Sequence, residues 1–155
     1  MSENRLAQTL AGFGMDLVPV TYPESTRTAE DAATAIGCDV AQIAKSLIFQ
    51  GKSSGKPVLV VASGANRVDE KRIRDLIGEK VGKADAGFVR AKTGFAIGGV
   101  PPVGHAEAPI CVLDEDLRRH DVIWAAAGTP RTVFQLTPDQ LARITEGRWA
   151  AVAKT

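Results

Sequence analysis

Lys45-Ser46-Leu47-Ile48-Phe49-Gln50, then Gly51-Lys52-Ser53-Ser54-Gly55-Lys56, then Pro57-Val58-Leu59-Val60-Val61-Ala62-Ser63: this stretch decides the fold class. Two β-prone runs flank a turn built from glycine, serine and lysine, the pattern of two strands joined by a short connection. The second run is apolar at nearly every position, as in a strand buried on both faces. A sheet therefore runs through the middle of the sequence, and flanking segments must cover it on both sides.

The flanks supply those covers. Upstream, Thr28-Ala29-Glu30-Asp31 predicts a helix start, with Thr28 as cap and Asp31 in the positive first turn. Ala32, Ala33 and Ile36 give that helix its inner face, and Gly37 ends it. Leu17 to Tyr22 contains Pro19 and suits an edge strand, while Leu6, Leu10 and Phe13 fall at helical spacing. Downstream, Asp69 caps a helix whose Ile73, Leu76 and Ile77 face inward, with Lys71, Arg72 and Arg74 outside and Gly78 as the stop. Ile110 to Leu113 and Val122 to Ala127 are buried strands joined by a helical turn at Asp114 to Arg119. Thr132 to Leu136 is a short strand, and Thr137-Pro138-Asp139-Gln140 opens the last helix as a capping box with a first-turn proline. Strand and crossover helix do not alternate strictly. The expectation is an α+β fold, a single domain over residues 1–155, with a curled, barrel-like mixed β-sheet flanked by helices.

Composition narrows the function. With 155 residues and 45% hydrophobic side chains, the chain builds a core without a disulfide or metal staple. A net charge of +1 excludes a protein that coats nucleic acid through bulk charge, although a local basic patch remains open. Cys38 and Cys111 lack a Cys-x-x-Cys spacing and have only His105 and His120 as histidine co-ligands, so no metal site and no cofactor are expected. Residues 1–10 lack the apolar core of a signal peptide, and no apolar run approaches the roughly 20 residues that span a bilayer. A soluble, cytoplasmic protein is expected.

Three segments can carry chemistry. Gly94 to His105 is rich in glycine and contains Pro101-Pro102, which suits a rigid loop whose backbone approaches a small molecule; a structural turn is the plain alternative. Lys45 shares a strand face with Leu47 and Phe49, so its ammonium either reaches a cavity or snorkels to solvent. Trp124-Ala125-Ala126-Ala127-Gly128-Thr129-Pro130-Arg131 leaves room beside a buried strand, with Thr129 and Arg131 as polar groups or as parts of a tight turn. No P-loop, no Gly-x-Ser-x-Gly elbow and no His-Glu-x-x-His appears.

Taken together, Ala44-Lys45-Ser46-Leu47, Gly98-Gly99-Val100-Pro101-Pro102-Val103-Gly104 and Gly128-Thr129-Pro130 resemble the YbaK-type aminoacyl-tRNA editing domains. These are related to the editing insertion of bacterial prolyl-tRNA synthetase. Val68 to Lys71 and Ala91-Lys92-Thr93-Gly94-Phe95 belong to the same resemblance. It implies a metal-independent hydrolase that acts in trans on the ester of mischarged tRNA, typically proline tRNA carrying a small non-cognate amino acid. Lys45, Gly98 and Gly99 are the implied catalytic residues. Ser46, Val100, Pro101, Pro102, Gly104, His105, Gly128 and Thr129 are the implied substrate contacts. Lys71, Arg72, Arg74 and Arg131 are the candidate tRNA contacts. Mischarged tRNA is the implied partner, with prolyl-tRNA synthetase as a second, and neither DNA nor membrane is expected. The amino acid stays open, because Ser46 replaces the asparagine of the alanine-clearing branch and the aspartate of the cysteine-clearing branch is also missing. Two rival classes remain: a module that binds an aminoacyl end or a synthetase without cleavage, and a hydrolase of free esters.

Overall fold

The apolar run Pro57–Ser63 is a strand (β3) with every residue buried, in a computed structural model that describes residues 2–155, with side chains from residue 6 onward. It forms a hairpin with β2 (Ile43–Gly51), in register from Ala44 opposite Ser63 to Gln50 opposite Pro57. Side chains alternate across the sheet, and each face has its cover. Leu59 and Val61 pack with Leu6 and Leu10 of helix α1 (Ser2–Ala11) and with Leu141 and Ile144 of helix α5 (Pro138–Thr145). Val58, Val60 and Ala62 pack on the other face with Ile73 of helix α3 (Glu70–Ile77).

Among the described residues, one sheet holds all the strands. Its order is β1 (Val20–Thr21), β7 (Thr132–Leu136), β6 (Ile123–Ala126), β2, β3, β5 (Ile110–Asp114) and β8 (Arg148–Ala150), with β4 (Val81–Lys83) joined to β2 off this path. Parallel pairs (β2 with β6, β3 with β5, β5 with β8) sit beside antiparallel ones, so the sheet is mixed. This is the expected α+β architecture; the strand path from β1 to β8 is not closed.

Local signals placed the helices. Thr28 accepts a hydrogen bond from the Asp31 amide at the start of helix α2 (Ala29–Ile36), and Gly37 ends it in the left-handed region at φ +84°. Asp69 caps α3 through the Lys71 amide, and Thr137 and Gln140 cap α5 reciprocally. Two expectations need correction. Leu17 to Tyr22 yields only Val20–Thr21, paired with β7 at the sheet edge. Phe13 lies beyond the end of α1 and is exposed, because the helix stops before Gly12. The elements not anticipated are β4, β8, helix α4 (Ala86–Thr93), which Asp85 caps, and a short 3-10 helix at Val40–Gln42.

A gap in the sheet positions the site. The outer edge of β2 pairs with β6 at Ile43 and Ala44 and with β4 from Phe49 to Gly51. Among the described residues, no strand pairs with residues 45–48 on that edge. Ile43 and Gly51 direct their backbone groups to the β3 side, through Gly64 N to Ile43 O at 2.7 Å and Gly51 N to Lys56 O at 2.9 Å. Alternation then turns the amide and carbonyl of Ser46 and Ile48 into the gap. Among the described residues, no helix is long and apolar enough to cross a membrane.

Candidate active site

A two-lobed cleft opens over this gap. The first lobe, about 300 Å³, lies under the segment leading into α2 and is lined by Thr26, Ala29, Ala32, Ile43, Ala125 and Ala126. The second, about 370 Å³, is lined by Leu47, Phe49, Arg67, Val68, Lys83 and Val89. Lys45, Ser46, Leu47, Ile97, Gly98 and Val100 border both lobes. The strand segment carrying Lys45 and the glycine loop therefore meet at the junction, which is where a substrate spanning both lobes would be cut or held.

The Lys45 ammonium is tethered. Its Nζ donates to the carbonyl oxygen of Asn66 across 2.6 Å. Asn66 is itself fixed, since its Nδ2 donates to Asp114 Oδ2 at 2.9 Å and to Asp116 Oδ2 at 2.8 Å. Buried Asp114 also accepts from the Ser63 amide at 3.0 Å, which ties the cluster to the end of β3. Burial pushes the Lys45 ammonium below its usual range, while Glu30 and Asp114 oppose that shift and Arg67 adds to it. A partly desolvated ammonium keeps two protons for a ligand and binds an anion or a carbonyl more strongly than a solvated one would.

The glycine loop is braced from behind. Gly99 donates its amide to Ala96 O at 3.1 Å, and its carbonyl accepts from the Gly128 amide at 2.9 Å. A Cβ on Gly99 would stand 3.0 Å from backbone atoms of Thr129, so only glycine lets the two loops approach this closely. Gly128 adopts φ +98°, again a conformation that favours glycine. His105 locks the other end: its Nε2–H donates to the Pro101 carbonyl at 2.6 Å. That bond keeps the proton on Nε2 and leaves the buried Nδ1 without a hydrogen-bond partner. Burial holds the imidazole below its usual range, which keeps it neutral.

The residues expected at the site divide accordingly. Lys45, Ser46, Gly98 and Val100 border the cleft, and the Ser46 hydroxyl is buried with no hydrogen-bond partner. Gly99, Pro101 and Gly128 lie behind it as bracing. Pro102, Gly104 and His105 border a separate cavity of about 380 Å³ with Cys111 and Phe13. Thr129 spends its hydroxyl on Thr132 at 2.6 Å and on the Arg131 amide at 3.2 Å. Arg131, Lys71, Arg72 and Arg74 border neither lobe; Arg72 pairs with Asp69 and Arg74 with Asp75.

A model of the aminoacyl-tRNA editing domain matches residues 23–144, which include the whole cleft. The chain belongs to the aminoacyl-tRNA editing domain family. It is 35% identical over 134 residues to the uncharacterized protein YwhH of Bacillus subtilis, covering 86% of this chain and 85% of that one. It is 27% identical to EbsC of Enterococcus faecalis, named as a candidate Cys-tRNA(Pro)/Cys-tRNA(Cys) deacylase, covering 84% of this chain and 80% of that one. A crystal structure described as a candidate trans-editing enzyme for prolyl tRNA synthetase superposes with a TM-score of 0.93 at 43% identity, over 99% of this chain and 98% of that one.

In this editing domain several cleft residues escaped the sequence reading. Asn66, which holds Lys45, lies in a turn after β3 and carries no motif. Arg27 lies against Gly98, where a Cβ would stand 2.6 Å from its Cγ. Thr26 lines the first lobe and Arg67 the second, whereas Trp124 of the first lobe belongs to the alanine-rich segment already singled out in the sequence. Only Arg67 had a detectable signal, because it directly precedes the Val68-to-Lys71 motif.

Proposed function

We propose that this chain is a trans-acting deacylase of mischarged tRNA, with proline tRNA carrying a small non-cognate amino acid as its substrate. One observation carries the reading: an ammonium tethered at the waist of a two-lobed cleft, opposite a glycine-rich loop. An aminoacyl ester has the matching shape, with an amino acid on one side of the ester bond and a nucleoside on the other. The alanine-lined first lobe suits the small side chain, and the second suits the nucleoside.

In the proposed step, a water oxygen attacks the ester carbonyl carbon. The bond from that carbon to the ribose oxygen breaks, and the departing oxygen takes a proton originating from the water. The products are a free amino acid and a tRNA with a free terminal hydroxyl. Lys45 orients the ester through the protons it does not give to Asn66. The amides of Gly98, Val100 and Ser46 are the candidate donors to the developing oxyanion, acting as fixed dipoles. The neighbouring ribose hydroxyl orients the water, so positioning replaces a nucleophilic triad. This reading places the choice between a small residue and proline at the lobe walled by Ala29, Ala32 and Ala126.

The test is a deacylation panel: proline tRNA charged with alanine, cysteine, serine, threonine or proline, incubated with folded protein. Release of at least one small residue with proline spared supports the reading. Binding of these tRNAs without release of any amino acid would make the chain a binding module instead.

A further inference from the structure

The second lobe differs from the first in charge. Its border holds three cations, Lys45, Arg67 and Lys83, and a single carboxylate, Glu70. Neither Arg67 nor Lys83 takes part in an ion pair among the described residues. Arg67 also stands near enough to Lys45 to disfavour its charge. Like charges gathered around one cavity repel, and the arrangement becomes favourable when an anion enters.

Both cations are rooted on fixed backbone. The Arg67 carbonyl accepts from the Lys154 amide at 2.7 Å, and Val68 bridges to Ala153. Lys83 is paired with Phe49 in the sheet. Leu47, Phe49, Val68 and Val89 give the same lobe an apolar lining. An apolar lining bordered by two cations fits a nucleoside bearing a phosphate: the ring system rests on the apolar side chains and the phosphate meets the guanidinium.

We infer that the second lobe is a phosphate site for the terminal nucleotide of the substrate, with Arg67 and Lys83 as its cations. The inference rests on the ester-hydrolase reading for the nucleotide's orientation, with the ester at Lys45 and the 5′-phosphate at the outer end. It assigns the charged contact nearest the reaction to these two residues. Lys71, Arg72, Arg74 and Arg131, which border neither lobe, are left to more distant phosphates.

The test titrates the protein with adenosine 5′-monophosphate and with adenosine, and repeats both with the Arg67→Gln/Lys83→Gln double variant. Both side chains are exposed, so the change opens no void in the core. The wild type is expected to bind the monophosphate about tenfold more tightly than adenosine, as a charge-assisted contact implies. The double variant is expected to lose that preference, and its KM for mischarged tRNA to rise. Equal binding of the two probes by the wild type, or an unchanged preference in the double variant, overturns the site. A protein that prefers the monophosphate but cleaves no ester keeps this site and loses the hydrolase reading. One that cleaves esters without preferring the monophosphate does the reverse.

Discussion

The backbone carbonyl of Asn66 accepts the Lys45 ammonium at 2.6 Å, while the side chain of the same Asn66 is clamped between Asp114 and Asp116. The cleft lysine is thus aimed by a residue that contributes only its main chain to the contact. Replacing Asn66 with alanine removes the clamp and leaves buried Asp114 short of one donor. The expected cost is about 1–3 kcal/mol of stability, read by urea unfolding, together with slower deacylation. Full activity in Asn66→Ala would mean that the clamp does not orient Lys45.

His105 gives a pH prediction. Its folded-state pKa lies below the ordinary value of 6.5. Between the two values the unfolded chain binds more protons than the folded one, so stability rises with pH in that window. The contribution is fully present above 6.5 and is lost as pH falls through the lower folded value. His105→Gln keeps a donor for the Pro101 carbonyl and should retain activity while flattening this dependence. His105→Leu removes the donor and should lose both stability and activity. Equal behaviour of the two variants would show that the hydrogen bond does not hold the loop.

Gly99 and Ala126 separate bracing from selection. Gly99→Val pushes the loop off the Thr129 backbone, so deacylation should fall for every amino acid alike. Ala126→Val narrows the first lobe and should depress activity most on the largest accepted residue. A size-graded loss in Gly99→Val together with a uniform loss in Ala126→Val would reverse these assignments. The assay is the same deacylation panel for both.

Legibility in the sequence followed the reach of each signal. The β2–β3 hairpin, the caps at Thr28, Asp69 and Thr137 and the glycine stops at Gly37 and Gly78 are local, and each formed where its residues predicted. β4 and β8 are three residues each, too short for a period to show, and both form only because a neighbouring strand receives them. Helix α4 presents Val89 and Thr93 as its buried residues, so its amphipathic pattern is faint. At the site, Lys45 and Gly98 were visible as an odd charge in an apolar run and a glycine-rich loop. Asn66 was not, because its role depends on a carbonyl and on two carboxylates about 50 residues away. Gly99 was visible as a glycine, but its work lies behind the cleft, against Gly128 and Thr129.

The most direct test of the account is the deacylation rate of Lys45→Ala on the mischarged panel, measured beside its thermal unfolding. Burial already disfavours the Lys45 ammonium, so its loss should shift the melting temperature by no more than about 4 °C. The rate should fall by about 100-fold or more, as expected when a fixed charge at the reacting carbonyl is removed. A folded Lys45→Ala protein that clears mischarged tRNA at near the wild-type rate would contradict the account.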